Sequence, residues 1–128
     1  MTTLTKIALL ASTVAFAAGA VNAAELNIYT TREPGLIQPL LESFTASSGV
    51  KVNTVFLKDG LAERVLSEGA SSPADVLMTV DAGNLVDLAE KGVTQAVESE
   101  TLTKAVPAEL RDAKGHWFAL SMRARVLY

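Results

Sequence analysis

Two polar loops and one polar segment near the end of the chain carry most of the side chains that suit ligand binding. The loops are residues 30–33 and 79–84, and the later segment is residues 121–125. Hydroxyls and the amides of a helix N-terminus suit an anion, whereas carboxylates with hydroxyls suit a hard cation that prefers oxygen. The candidate residues for a ligand cleft are Thr30, Thr31, Arg32, Asp81, Arg123 and Arg125.

Each of these polar residues also fits a purely structural role. Asp81 is a good N-cap for the helix predicted after it, and the helix dipole favours Glu33 at a helix start. Arg123 and Arg125 lie two apart on one face of a predicted strand, so they fit a surface ion pair as well as a cleft. His116 is the only histidine, and its place after Lys-Gly indicates an exposed turn rather than a metal site.

Composition and motifs exclude several functional classes. The chain contains no cysteine, which excludes disulfides, thiolate metal sites and thiol catalysis. It contains no glycine-rich phosphate loop, nucleophile elbow or paired-histidine metal motif, so we predict that it is not an enzyme. After residues 1–23 the chain carries 10 basic and 14 acidic residues, and this net charge of −4 argues against nucleic acid as a partner.

The first residues have the pattern of a secretory signal peptide. Lys6 is the only charged side chain before Glu25, and apolar or small residues fill positions 7–20 without a break. Val21-Asn22-Ala23 then offers small residues at the positions that signal peptidase recognises before the cleavage site. A membrane span needs about 20 predominantly apolar residues, which is longer than this run. We predict a signal peptide over residues 1–23 and a mature chain over residues 24–128, with an uncleaved membrane anchor as the alternative.

Alternating strand and helix patterns place the polar loops. We predict strands at residues 26–30, 50–57, 75–80, 117–120 and 124–128, the first of them central, and helices at 36–44, 61–68 and 82–91. Gly49 is expected to end the first helix in a left-handed conformation, and Asp59 to cap the second. This order predicts an α/β fold with a mostly parallel sheet flanked by helices. Ligands of such sheets bind beyond the carboxyl ends of the strands.

Three separated segments resemble the periplasmic ferric-iron-binding proteins of bacterial ABC transporters. They are residues 29–35, 72–83 and 117–126, which occur in the order and spacing of that family. The resemblance covers essentially all of the mature chain and implies a periplasmic-binding-protein-like fold with two α/β lobes joined by a hinge. It implies that residues 24–128 form most of the first lobe, truncated before the second. Tyr128 also falls inside a predicted strand, which indicates a fragment.

The resemblance implies the function as well. It implies a periplasmic, monomeric solute-binding protein that captures ferric iron between its lobes and delivers the ion to an inner-membrane ABC permease. A synergistic anion is an implied second ligand, and no insertion into the membrane is implied after signal cleavage. Two alternatives stay open: a receptor of the same fold for an oxyanion or small organic solute, and a secreted enzyme or adhesion module on an α/β scaffold.

The chain departs from the family that it resembles at the iron ligands of the first lobe. Many relatives carry His, or His followed by Tyr, where this chain has Glu33 and Pro34. In one branch a carboxylate ligand occupies the position of Val80. Glu33 is therefore the one candidate metal ligand in this chain, and the paired tyrosines that dominate ferric binding are expected beyond Tyr128, in the second lobe.

Overall fold

Three parallel strands form the sheet in the computed structural model, which describes residues 24–124. The strand order is β2-β1-β3, so β1 is central, as the sequence predicts. The first and last paired positions of β1 and β2 are Glu25 opposite Lys51 and Thr30 opposite Phe56. The strands are β1 (Glu25–Thr30), β2 (Lys51–Phe56) and β3 (Val76–Met78).

Helices cover both faces of this sheet. The three long ones are α1 (Pro34–Ser48), α2 (Leu61–Glu68) and α3 (Ala82–Glu90), followed by α4 (Glu100–Ala105). Short 3-10 turns occur at Gly69–Ser71 and Ala108–Leu110. None of the helices within residues 24–124 has the length and hydrophobicity needed to cross a membrane. The observed order of strands and helices gives an α/β sandwich built on a parallel sheet.

Helix α1 packs on one face of the sheet through two buried residues. Ile37 and Leu41 pack against Ile28 of the central strand, with parts of β2 and β3 beside them. The helix ends where predicted, because Gly49 adopts φ 73° and donates its N–H to the carbonyl of Thr45 at 2.9 Å. Such a positive φ suits glycine, which has no Cβ to clash.

The opposite face holds a second apolar cluster under α2 and α3. It is built from Tyr29, Leu61, Ala62 and Leu88, which are all at most 6% exposed. Tyr29 and Ile28 are neighbours in sequence but belong to different clusters, because side chains alternate across a strand. One short strand therefore anchors both helical layers.

The C-terminal end of α2 is tied to β1 by the carboxylate of Glu68. Its Oε1 accepts hydrogen bonds from the Tyr29 hydroxyl at 3.1 Å and from Arg64 Nε, and its Oε2 accepts from the Ser72 hydroxyl at 2.7 Å. The bonds from Arg64 and then Ser72 lower the pKa of Glu68. Burial, followed by the hydrogen bond to Glu68, raises the pKa of Tyr29, whose buried phenol serves here as a donor to that carboxylate.

Two local predictions are wrong. Asp59 does not cap α2, because Gly60 occupies the cap position at φ 76° and no side chain caps the helix. Residues 117–120 form a single antiparallel bridge between Arg111 and Phe118 rather than a strand. The chain reverses tightly between the two bridged residues, where the Asp112 carboxylate accepts two backbone N–H bonds, from Lys114 and His116. The predicted strand at 124–128 lies, apart from its first residue, outside the described residues.

Shortening Leu88 tests the core under α2 and α3. Leu88 is 2% exposed, so Leu88→Ala leaves a cavity, and we expect it to lower the free energy of unfolding by about 2–5 kcal/mol. Val86 lies on the same helix but is 41% exposed, and Val86→Ala is the matched control, expected within about 0.5 kcal/mol of the parent. Urea unfolding followed by circular dichroism measures both, and equal losses would contradict this assignment of the core.

The Glu68 cluster predicts a component of stability that depends on pH. A carboxyl whose pKa is lowered by folding stabilises the protein above its ordinary value of 4.5 and loses that contribution as the pH falls through the folded-state pKa. We expect Glu68→Gln to be less stable than the parent at neutral pH, with the difference shrinking below pH 4.5. Urea unfolding across this range measures it, and a difference that stays constant with pH would rule out the ionic role.

Candidate functional site

The carboxyl ends of the three strands open onto one cleft. A cavity of about 390 Å³ lies there, between the segments that follow β1, β2 and β3 and the first turns of α2 and α3. This is the edge at which parallel α/β sheets bind ligands. The polar side chains in its walls include Thr31, Lys58, Glu63, Thr79, Asn84 and Asp87.

Backbone hydrogen bonds fix the loop that leaves β1. The Thr31 N–H donates to the Met78 carbonyl at 3.0 Å, and the Leu57 N–H donates to the Thr30 carbonyl at 2.9 Å. The Thr30 side chain is fully buried, and its hydroxyl oxygen accepts the Arg32 N–H at 2.9 Å. Thr30 thus holds the loop backbone through its buried hydroxyl, and this hydroxyl does not line the cavity.

Thr31 presents a different hydroxyl to the site. Its Oγ1 is buried and has no hydrogen-bond partner among the residues that the structure describes, although the residue lines the cavity. A buried hydroxyl without a partner costs about 1–3 kcal/mol, and a ligand atom that bonds it recovers part of that cost. Of the predicted cleft residues, Thr31 is therefore the best placed to contact a ligand.

The two helix starts beside the cavity differ in how they are capped. Asp81 caps α3, since its Oδ1 accepts the Asn84 N–H at 2.9 Å and its Oδ2 accepts the Asn84 side-chain amide at 3.0 Å. The sequence left open whether Asp81 is a cap or a cleft residue, and its carboxylate is occupied by the cap. Helix α2 has no capping side chain, but Glu63 in its first turn complements the helix dipole.

Lys91 joins the two helices that wall the cavity. Its Nζ lies 2.8 Å from Asp87 Oδ2 and 3.2 Å from Glu63 Oε1, so one ammonium pairs with two carboxylates that line the cleft. Asp87, and to a lesser extent Glu63, raises the pKa of Lys91. The pKa of Glu63 is lowered, first by its own backbone N–H and then by Lys91. These pairings reduce the negative charge that a ligand meets.

The predicted metal ligand Glu33 is not among the residues that line this cavity. Its side chain is exposed, does not cap α1, and makes no hydrogen bond or ion pair within residues 24–124. Arg32 beside it is half-buried. Across the described part of the chain, no three acidic or histidine side chains are grouped closely enough to hold a metal ion. Metal ligation by Glu33 stays a prediction.

The remaining predicted residues lie away from the described cleft or outside the described chain. Arg123 is exposed in a segment without regular structure, and Arg125 falls outside the described residues. His116 is half-buried rather than exposed, because its Nδ1 lies 3.0 Å from the Thr94 hydroxyl and its N–H donates to Asp112.

Sequence reasoning missed four polar residues of the cavity wall, which are Lys58, Asp59, Glu63 and Asp87. Lys58 directly follows the strand predicted at residues 50–57. The expectation that ligands bind beyond the carboxyl ends of strands would therefore also have identified it. Glu63 and Asp87 lie inside helices, where an acidic residue usually indicates a solvated face. Asp87 and Lys91 have the local spacing of an i,i+4 pair, but the pairing of Glu63 with Lys91 depends on the packing of α2 against α3, which no local pattern encodes.

Curated proteins similar to this chain are iron-uptake and ferric iron-binding proteins. Iron uptake protein A1 of Synechocystis sp. is 47% identical over 104 residues, covering 80% of this chain and 29% of that protein. The major ferric iron-binding protein of Neisseria gonorrhoeae is 34% identical over 136 aligned positions, covering 99% of this chain and 38% of that protein. No family model matches the chain. The chain thus spans about a third of the length of these relatives.

Solved structures agree with the sequence relatives. The Bordetella ferric binding protein is 66% identical with a TM-score of 0.73, over 76% of this chain and 31% of that one. A Trichodesmium protein (IdiA, FutA) in complex with iron and citrate is 46% identical with a TM-score of 0.70, over 74% of this chain and 30% of that one. These similarities confirm the predicted α/β fold of the periplasmic-binding-protein type. The names of these relatives describe binding and uptake, not catalysis.

Two neighbouring threonines allow a test of the site without any ligand. Thr31→Val removes a buried hydroxyl that finds no partner within residues 24–124, and we expect it to leave the free energy of unfolding unchanged or slightly raised. Thr30→Val removes the acceptor of the Arg32 N–H, and we expect a loss of about 1 kcal/mol. Urea unfolding of both variants measures the difference. A larger loss at Thr31 than at Thr30 would show that the Thr31 hydroxyl is structural.

Proposed function

Because this chain is a homologue of the ferric iron-binding proteins, we propose that it is part of a periplasmic receptor that captures ferric iron between two lobes. In this proposal the receptor delivers the ion to an ABC permease in the inner membrane. The observation that carries the proposal is the joint match in sequence and fold to ferric-binding proteins, over most of the described chain. The cleft at the carboxyl edge of the sheet supplies the matching geometry.

The chemistry of the cleft supports ferric iron together with an anion. Ferric iron prefers oxygen ligands, and a cysteine-free chain offers only oxygen and nitrogen donors and the weak thioether sulfur of methionine. Glu33 offers one uncommitted carboxylate near the loop of Thr31. One relative's structure holds iron with citrate, so a chelating anion is proposed to fill coordination sites that this chain leaves open. In that arrangement the Thr31 hydroxyl bonds the anion rather than the metal.

We propose capture between two lobes because the described residues offer few side chains that could coordinate the metal. A single exposed carboxylate holds ferric iron weakly, so tight binding requires further donors from a second lobe. A ligand that contacts both lobes only when they are closed shifts the population toward the closed form. We propose that the paired tyrosines of the family supply those donors from beyond Tyr128.

The cellular setting is proposed on the same grounds. Residues 1–23 act as a signal peptide, and residues 24–128 belong to the N-terminal lobe of the exported receptor. The Neisseria and Serratia relatives are named as ferric-binding proteins, the latter as periplasmic, which supports export to the periplasm. We propose that the mature receptor is a monomer, since each lobe then remains free to close and to engage the permease.

A second candidate is a receptor of the same fold for an oxyanion or small organic solute. The side chains that favour it are Lys58 and Thr31, which lie in the wall of the cavity, while Glu33 lies outside it. Lys58 supplies a positive charge, and the first turn of α2 beside it presents backbone amides. An anion without iron would use these groups and would not depend on Glu33.

Titration of the full-length receptor that contains residues 24–128 distinguishes the two candidates. We expect ferric citrate to produce a visible charge-transfer band with one iron retained per protein. Glu33→Gln should weaken iron retention against a competing chelator by about tenfold, which corresponds to ~1.4 kcal/mol. The matched control is Glu90→Gln, an exposed carboxyl at the far end of α3 that should behave as the parent.

Each other result has a defined meaning. No colour and no retained iron would count against the ferric proposal. Binding of phosphate or sulfate alone, unchanged by Glu33→Gln, would favour the anion receptor. Iron binding that is unaffected by Glu33→Gln would leave the ferric receptor standing and remove Glu33 from its ligands.

A further inference from the structure

Lys91 contacts the wall of the cavity from outside. It does not line the cavity, yet its ammonium lies 2.8 Å from Asp87 Oδ2 and 3.2 Å from Glu63 Oε1, and both of these acids do. Asp87 precedes Lys91 by four residues at the end of α3, whereas Glu63 belongs to the first turn of α2. One ammonium therefore lies beside two carboxylates that a ligand in the cavity would meet.

The charges around this cavity are close to balance. Its lining includes one lysine and three acids, which are Lys58, Asp59, Glu63 and Asp87. With Lys91 added, two positive and three negative groups give this set a net charge of −1, and without Lys91 the net charge is −2. The loss of a single ammonium would thus double the negative charge of the set that surrounds a ligand.

The pairing of Lys91 also leaves Lys58 available to a ligand. Within residues 24–124 Lys58 forms no ion pair, although Glu63 and Asp87 line the same cavity. Carboxylates that lack a counter-charge attract a nearby lysine, whose long side chain is flexible. Because Lys91 already pairs with both acids, the charge of Lys58 remains free for an anionic ligand.

The ammonium of Lys91 is held in its charged form. Hydrogen bonds to Asp87 and then to Glu63 raise the pKa of Lys91, which is ordinarily far above neutral, so the positive charge is permanent at physiological pH. The side chain is 35% exposed, so solvent and salt screen it less than a fully exposed lysine.

We propose that Lys91 is a positioning residue that sets the charge selectivity of the cleft. It neutralises Glu63 and Asp87, and it thereby favours a ligand that carries negative charge, such as a carboxylate chelate of iron, over a free divalent cation. The inference rests on the proposed function in one respect, namely that this cavity receives the ligand. It holds for ferric citrate and for an oxyanion alike, because both are anionic.

Two probes of opposite charge test this role in the full-length receptor that contains residues 24–128. Citrate without iron is the anionic probe and Mn²⁺ is the cationic probe, and each is titrated separately at low salt. We expect Lys91→Met to weaken citrate binding by about fivefold and to strengthen Mn²⁺ binding by about fivefold, because Coulomb energies of opposite sign change together. Both shifts should shrink at 1 M salt, where the Debye length is about 3 Å.

Lys104→Met is the matched control, and Lys91→Arg is the rescue. Lys104 forms the same kind of i,i+4 ion pair, with Glu100 Oε2 at 3.1 Å, but it lies on α4 and does not contact the acids of the cavity wall. Its replacement removes the same charge from the whole protein and should leave both affinities as in the parent. Lys91→Arg keeps the local charge and should restore both affinities.

Asp87→Asn changes the charge of the cleft in the opposite direction. It keeps the pair between Glu63 and Lys91, and we expect it to strengthen citrate binding and to weaken Mn²⁺ binding. This variant carries the test if Lys91→Met fails to fold.

Opposite shifts for the two probes support the proposal, because a structural defect would weaken the binding of both. Shifts in the same direction, no shift, or an equal effect of Lys104→Met would overturn it. A parent receptor that binds no citrate would overturn it as well. Retention of iron from ferric citrate is measured separately and reports on the proposed function, since it does not depend on the sign of these shifts.

Discussion

The burial of β1 is the constraint on which the rest of this structure depends. All six of its residues pair with β2 and the last three also pair with β3, while alternate side chains enter two different apolar clusters. Ile28 holds α1, Tyr29 holds α2 and α3, and Thr30 ends the strand with no exposed surface. Since the last three residues of the strand are buried, the first residue that can present a polar group at its carboxyl end is the one after them.

The cleft is a direct result of that arrangement. Thr31 emerges at the carboxyl edge, where its N–H is held by β3 and its hydroxyl is left for another partner. The walls on either side belong to α2 and α3, whose positions are set by Tyr29 and Glu68 at one end and by Lys91 at the other. The same contacts that close the core therefore also shape the site.

The sequence predicts the elements and their order because these depend on local patterns. The central strand, the glycine that ends α1 and the capping of α3 by Asp81 each follow from a few neighbouring residues. The bridge between Arg111 and Phe118 cannot be predicted in this way, because a short apolar run is compatible with a strand and with a tight reversal of the chain. The pairing of Glu63 with Lys91 joins residues 28 positions apart, and only the packing of two helices brings them together. The cap of α2 is also predicted one residue too early. Gly60 occupies the cap position, although Asp59 is the more favourable capping residue.

The double pairing of Lys91 has a consequence for how this region tolerates change. Only the pair with Glu63 joins α2 to α3, because Asp87 lies four residues before Lys91 on the same helix, so substitution of Glu63 removes the ionic link between the helices and substitution of Asp87 keeps it. Substitution of the lysine leaves two carboxylates on neighbouring helices without their shared counter-charge. Evolutionary drift is therefore expected to be more permissive at Asp87 than at Glu63, and replacement of Lys91 by a neutral residue is expected to favour the loss of an acid.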